Sequence, residues 1–373
     1  MPKYKQINPK MSTIRSIILE ELARQGTISF ARFMELALYC PNIGYYEQLN
    51  VSPGQKGDYF TSVSVGGLFG ELLAYQFAEW LESKPVRQWQ ILEAGAHEGV
   101  LAGDILRWLQ AHRPDISSSL KYWILEPSIT RRHSQEISLG GLAGVVQWFD
   151  SWSALPPSGV HGFILSNELL DAMPVHRLGW DATRKRWFEW GVAIEGDDFV
   201  WARMPADQGG NVGEFGTELP LELLEVLPDG FTTEICPAAV DWWRHAAGAL
   251  KTGKLIAFDY GLMAEQFFTP ERMDGTLRAY HRHHQSNDLL AHVGKQDITA
   301  QVNFTAIQHA GESAGLKTEG LVTQAQFLTG IVARMSKHSQ APGKWDSTRT
   351  RQFQTLTHPE HLGNSFRVLV QAR

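Results

Sequence analysis

The strongest constraint on this chain is a change of period at residue 89. From there, apolar runs of strand length alternate with helical patterns: WQILEAG (89–95), KYWILEP (121–127), GVVQWFD (144–150), HGFILSNE (161–168) and GKLIAFDYG (253–261). The runs near 121–126 and 254–259 are apolar enough to be buried on both faces, as central parallel strands are. An open α/β sheet follows from this pattern. Such sheets hold their ligand at the carboxyl ends of the strands, where the strand order reverses.

Around this series lie three additions. Residues 12–40 carry two amphipathic helical patterns, and GGLFGELLAYQFAEWLE carries another, which predicts an N-terminal helical section over 1–85, whose glycine-containing loop either covers the cofactor site or is an ordinary connection. Residues 86–373 then form the α/β domain. Within it, the segment around 175–232 alternates with period two and predicts an inserted antiparallel sheet that holds Trp187, Trp190 and Trp201, mainly as packing residues. Residues 262–360 are expected to supply a helical lid and substrate segments, and the strand-like runs 315–322 and 364–372 close the chain as a hairpin. Five β–α strands finished by a late hairpin make up the strand inventory of a class I methyltransferase sheet.

Composition narrows the function. The formal charge is −6 and shows no basic stripe, which argues against binding nucleic acid through its phosphates and suits a cationic substrate better. Cys40 and Cys236 are the only cysteines in 373 residues, so a reducing compartment is expected. No apolar run approaches the ~18 residues of a membrane span, and no secretory signal is visible at the N-terminus. The expectation is a soluble cytoplasmic protein.

The chemistry concentrates at the strand ends. ILEAGAHEGVLAGDIL (91–106) reads as strand, glycine turn and helix. A dinucleotide fingerprint needs G-x-G-x-x-G, but counting from Gly95 gives His97 and Val100 at the later positions. The S-adenosylmethionine (SAM) pattern, acidic-x-Gly-x-Gly-x-Gly, is met at Glu93, Gly95 and Gly99 and missed at His97. A purely structural turn remains open. Glu126 ends the next strand, where a carboxylate can accept both ribose hydroxyls, and Asp150 ends the third, within reach of an adenine edge. The fourth strand leaves through SNELLDAMPVH (166–176). One helical turn there would put Glu168 and Asp171 on one side, where they can grip a guanidinium by charge-assisted hydrogen bonds. The alternative is that Asn167 only caps the turn and that Glu168 and Asp171 are solvated.

These stretches together resemble the MidA-like family of class I SAM-dependent methyltransferases, which includes a mitochondrial complex I assembly factor that methylates a protein arginine. The resemblance runs nearly end to end, through ISFARFMELALYCPNIGYY, GDYFTSVSVGGLFGELLA, LEAGAHEGVLAGDIL, SNELLDAMPVHRL, EICPAA, LIAFDYG, GTLRAYHRHH, QDITAQVNF and LGNSFRVLV. It implies that Gly57, Asp58 and Thr61 lie over the cofactor and that Glu93, Gly95, His97, Gly99, Glu126 and Asn167 surround it. Asn167, Glu168, Asp171 and Pro174 match the signature beside the reacting centre, and Glu234 and Arg278 match positions in the inner cleft. The family's PGRG is AHEG here, so a side chain at His97 crowds the methionine part of SAM, or covers it if the backbone keeps a negative φ. The expected function is methyl transfer from SAM to a protein substrate, foremost an arginine nitrogen, with a respiratory-complex subunit as partner by family analogy. A non-catalytic binding module and a small-molecule methyltransferase stay open. HRHH (281–284) lacks a ligand spacing with a carboxylate, so no metal is expected.

Overall fold

The computed structural model describes residues 13–48, 61–82, 88–205, 219, 221–282, 284–286, 288–337 and 345–373. The chain divides into two compact units that interleave along the sequence: Met1–Ser52, Ala172–Ala238 and Met263–Asn303 in one, Pro53–Asp171, Ala239–Leu262 and Phe304–Arg373 in the other. The expected N-terminal helical section is shared between them, with two helices in the first unit and one in the second.

The second unit carries the α/β sheet. Its strands are β1 (Trp89–Ala94), β2 (Leu120–Leu125), β3 (Val146–Phe149), β4 (Val160–Asn167), β5 (Leu250–Leu262), β6 (Lys317–Thr323) and β7 (Phe366–Ala372). They lie in the order β3–β2–β1–β4–β5–β7–β6. All pairs from β3 to β5 are parallel, and β7 runs antiparallel to both β5 and β6. This is the class I methyltransferase order, and it reverses between β1 and β4.

Helices cover the sheet because their apolar faces have nowhere else to go. Helix α1 (Leu68–Glu82) buries Phe69, Leu72, Leu73, Phe77 and Leu81 in the main core. Phe69 meets Phe258 of β5 edge-on at 5.3 Å, and Phe77 stacks on Phe163 of β4 at 4.6 Å. Each such ring contributes roughly 1.5–3 kcal/mol by burial. Helices α2 (Val100–His112) and α3 (Ile129–Leu139) follow β1 and β2. The C-terminal helices over 324–337 and 347–357 send Leu328, Ile331, Met335 and Leu356 into the same core.

The first unit is built on an antiparallel sheet. His176–Asp181, Arg186–Glu195 and Asp198–Arg203 pair in succession, flanked by Ile28–Ser29 and Thr232–Ile235. The tryptophans pack here as anticipated: Trp187 lies opposite Trp180 with rings 5.2 Å apart, and Trp201 meets Phe30 at 4.9 Å. The helix Ile14–Gln25 starts at Thr13, whose hydroxyl accepts from Ser16 N, and stops at Gly26 with φ +75°. Among the described residues, no helix is long and apolar enough to cross a membrane.

A close approach between two strands limits what the sheet tolerates. Gly162 (φ +138°) and Gly253 (φ +122°) face each other across β4 and β5, and a Cβ on Gly253 would stand 1.8 Å from the Gly162 oxygen. Backbone strain and overlap add, so Gly253→Ala is expected to cost at least about 3 kcal/mol in denaturant unfolding. Glu93, in β1, is 3 % exposed and accepts a hydrogen bond from the Tyr122 hydroxyl at 2.7 Å. Burial pushes its carboxyl up to about 7 from 4.5, Tyr122 opposes this, and Asp104 adds to it. The folded value is raised, so the stability is full below the unfolded value and lost as pH rises through about 7. Glu93→Gln keeps an acceptor for Tyr122 and cannot ionise. Its stability should therefore fall less than the parent's between pH 5 and 8, by this group's share, on the order of 3 kcal/mol, as read from the melting temperatures of the two proteins across that range.

Candidate active site

The reversal of strand order places two turns side by side. Ala94 is in register with Ser166, so β1 ends beside β4. The turn after β1 runs through Gly95 (φ +73°), His97 (φ +46°) and Gly99 (φ +76°) into α2. A side chain on Gly95 would meet Leu169 Cδ1 at 2.9 Å, so this glycine is required by both its φ and its neighbour. Gly99 opens α2 with no side-chain cap, which leaves the backbone N–H groups of the first turn for a polar partner. His97 lacks the negative φ on which the covering alternative depended: it takes the left-handed conformation that a glycine would, at a cost of ~1–2 kcal/mol.

Glu126 follows β2 and is 8 % exposed. Its carboxylate accepts from Ser128 N and from Gln135 Nε2, both at 3.0 Å. Asp150, after β3, is exposed and accepts from the Ser151 hydroxyl at 2.8 Å. Glu93 lies deeper, inside the sheet, with Tyr122 as its donor.

The loop after β4 differs from the helical turn anticipated. Residues 168–173 form bends and turns without a helix, and Glu168 has φ +53°. The two acids therefore do not share a helical face. Glu168 is half-buried, and its Oε1 accepts from Ser62 N and from Asn167 Nδ2, each at 3.1 Å. Asp171 is 7 % exposed and hydrogen-bonds to the carboxyl of Asp259, in β5. Asp259 is fully buried; its Oδ2 accepts from Leu169 N (3.2 Å) and Leu170 N (2.8 Å), and its Oδ1 from Tyr260 N (2.9 Å). Burial drives the Asp259 carboxyl upward against these donors, and two carboxyls in hydrogen-bond contact share a proton. Asp259 thus holds the loop that presents Asn167 and Glu168, and Asn167 Oδ1 is buried with no hydrogen-bond partner among the described residues.

Of the other expected residues, Gly57 and Asp58 lie outside the described residues. Thr61 is buried, and its hydroxyl accepts from Ser64 N at 3.0 Å, which sets the short turn beside Ser62. Glu234 and Arg278 belong to the first unit. Glu234 is 6 % exposed and accepts from Thr276 N (2.8 Å) and Oγ1 (2.9 Å); burial raises its carboxyl despite these bonds. Arg278 is exposed and donates to Leu277 O. Ser62, Gln135 and Asp259 do not stand out in the sequence reading. For Asp259, a lone acid inside the apolar run LIAFDYG is an available signal; Gln135, a helix residue with distant partners, offers none.

A bent glycine turn, an uncapped helix start, an acid after β2 and a buried amide oxygen with no hydrogen-bond partner among the described residues fit a SAM molecule. Comparison with known proteins agrees. The chain matches, over residues 72–322, the profile of the family described as "Putative S-adenosyl-L-methionine-dependent methyltransferase". It is 27 % identical to the rat mitochondrial protein arginine methyltransferase NDUFAF7, over 94 % of this chain and 82 % of the relative. The human protein of the same name is 26 % identical, over 96 % of this chain and 83 % of that one. A crystal structure of a "likely methyl transferase" from Burkholderia thailandensis bound to S-adenosyl-homocysteine superposes with TM-score 0.82 at 30 % identity, covering 96 % of this chain and 92 % of that one. The expectation of a cytoplasmic protein is corrected by these relatives, since the rat, human and Drosophila melanogaster proteins are all mitochondrial by name. The fold, the turn after β1 and these likenesses converge: the chain belongs to the MidA-like family of S-adenosyl-L-methionine-dependent methyltransferases.

Proposed function

We propose that this methyltransferase acts on a protein substrate and methylates an arginine guanidinium nitrogen. The observation that carries the reading is Glu168, an acid held in a left-handed turn at the end of β4, beside the glycine turn of β1. Non-glycine residues keep such a backbone only where the surroundings impose it, and such strain gathers at functional sites. The names of the NDUFAF7 relatives support the choice of arginine.

When bound, SAM supplies an electrophilic methyl group on sulfur. Gly95, His97, Gly99 and the start of α2 would hold its methionine part, Glu126 its ribose hydroxyls, and Asp150 the adenine edge, with Thr61 and Asn167 completing the wall. Glu168 orients the guanidinium by charge-assisted hydrogen bonds, leaving one nitrogen in line with the methyl group. As the new C–N bond forms and the S–C bond breaks, that nitrogen must lose a proton, and the Glu168 carboxylate accepts it. Asp171 acts through its pairing with Asp259, which fixes the loop. In the first unit, Glu234 sets the backbone at Thr276, and Arg278 meets an acidic side chain of the substrate protein.

The test uses purified protein, methyl-labelled SAM and a protein extract, with acid hydrolysis to identify the labelled residue. Label in methylarginine is expected; label in lysine or in small molecules would refute the substrate assignment. Glu168→Gln should lower transfer by about 10²–10⁴-fold, the usual weight of acid–base catalysis, and leave S-adenosyl-homocysteine affinity within about threefold. Transfer at the parent rate by that variant would show that Glu168 neither orients the guanidinium nor takes its proton.

A further inference from the structure

Gln135, in the middle of α3, is fully buried, and both ends of its amide are engaged. Its Nε2 donates to the His97 carbonyl at 3.0 Å and to Glu126 Oε2 at 3.0 Å, while its Oε1 accepts from Trp148 Nε1 at 2.8 Å. An indole N–H can only donate, so it dictates which end of the amide is oxygen. The NH₂ group must then face the two acceptors, and both of its hydrogens are used. One side chain therefore ties together the segments that follow β1 and β2 with a residue of β3.

The consequence is specific. The bond to the His97 carbonyl holds the residue that has φ +46°, the most strained point of the β1 turn. The bond to Oε2 leaves Glu126 with Ser128 N on one oxygen and Gln135 on the other. These two segments are the ones proposed to meet the methionine and ribose parts of SAM. We infer that Gln135 is a positioning residue for cofactor binding, one that fixes the β1 turn and Glu126 relative to each other so that both halves of SAM are met by a preformed surface. The inference rests on the cofactor roles of Glu126 and the turn. Trp148 serves as the lock on the amide's orientation.

Preorganisation of this kind raises affinity without contacting the reacting atoms. Gln135→Met keeps length and apolar bulk but removes both donors. It is expected to weaken S-adenosyl-homocysteine binding by about 10- to 50-fold in calorimetry, and to raise the KM for SAM with kcat changed by less than about threefold. The effect must also depend on Glu126. If Glu126→Gln weakens binding in the parent background, Gln135→Met should add little in that variant, because groups in one network are not additive. Trp148→Phe, a milder change that folds even if Gln135→Met does not, should weaken binding about threefold by releasing the amide. A purely structural role predicts a lower melting temperature with unchanged affinity, or losses that simply multiply; either result overturns the inference. If Glu126→Gln itself leaves affinity unchanged, the cofactor assignment fails first and the role of Gln135 falls with it.

Discussion

The parallel pairing of β1 with β4 is the contact on which the site depends. Strand order reverses there, so the turns leaving the two strands have no helix between them at their carboxyl ends. Register then does the placing. With Ala94 beside Ser166, Gly95 and Leu169 come into contact, and Asn167 and Glu168 stand next to the mouth of the glycine turn. A slip of one residue would send every side chain of β4 to the opposite face. Gly162 opposes such a slip, since its Cα passes so close to the Gln90 oxygen that a Cβ would lie 2.3 Å from it.

Charge is handled in this unit by burial with a few chosen partners. Glu93 and Asp259 lie inside the sheet, where neutral donors face them, and Asp259 also pairs with the Asp171 carboxyl. Tyr122 faces Glu93, and three backbone N–H groups face Asp259. Burial raises both carboxyls against these donors, and the bonds make each acid a link in a dry interior. Glu168 and Glu126, by contrast, follow the ends of their strands and are held by amide donors.

Much of this was legible in the sequence, for a physical reason. Apolar runs bounded by glycine reveal buried strands, so β1 to β5, the closing hairpin and the inserted sheet all fall within a few residues of their expected positions. The strand-end acids follow from the strands. What escaped were relations between distant positions. Asp259 reaches Leu169 and Leu170 across 90 and 89 residues, and that contact turns Asp171 away from the helical face that spacing alone suggested. The interleaving of the two units likewise comes from segments that meet only after folding. No local pattern encodes such contacts.

Position 97 shows how a motif can break in its letters and hold in its geometry. A glycine pattern exists to permit a backbone conformation, and here the conformation survives with histidine in place. The strain of a left-handed histidine must be opposed by bonds at the same point, and the Gln135 amide supplies one to its carbonyl. The helix that follows contributes as well, because Gly99 N donates back to Ala96 O at 2.6 Å and closes the turn from the other side. A turn clamped at both ends keeps its amide directions whatever side chain projects from its middle. The departure from glycine therefore changes the side chain at residue 97 while the turn keeps a left-handed backbone there.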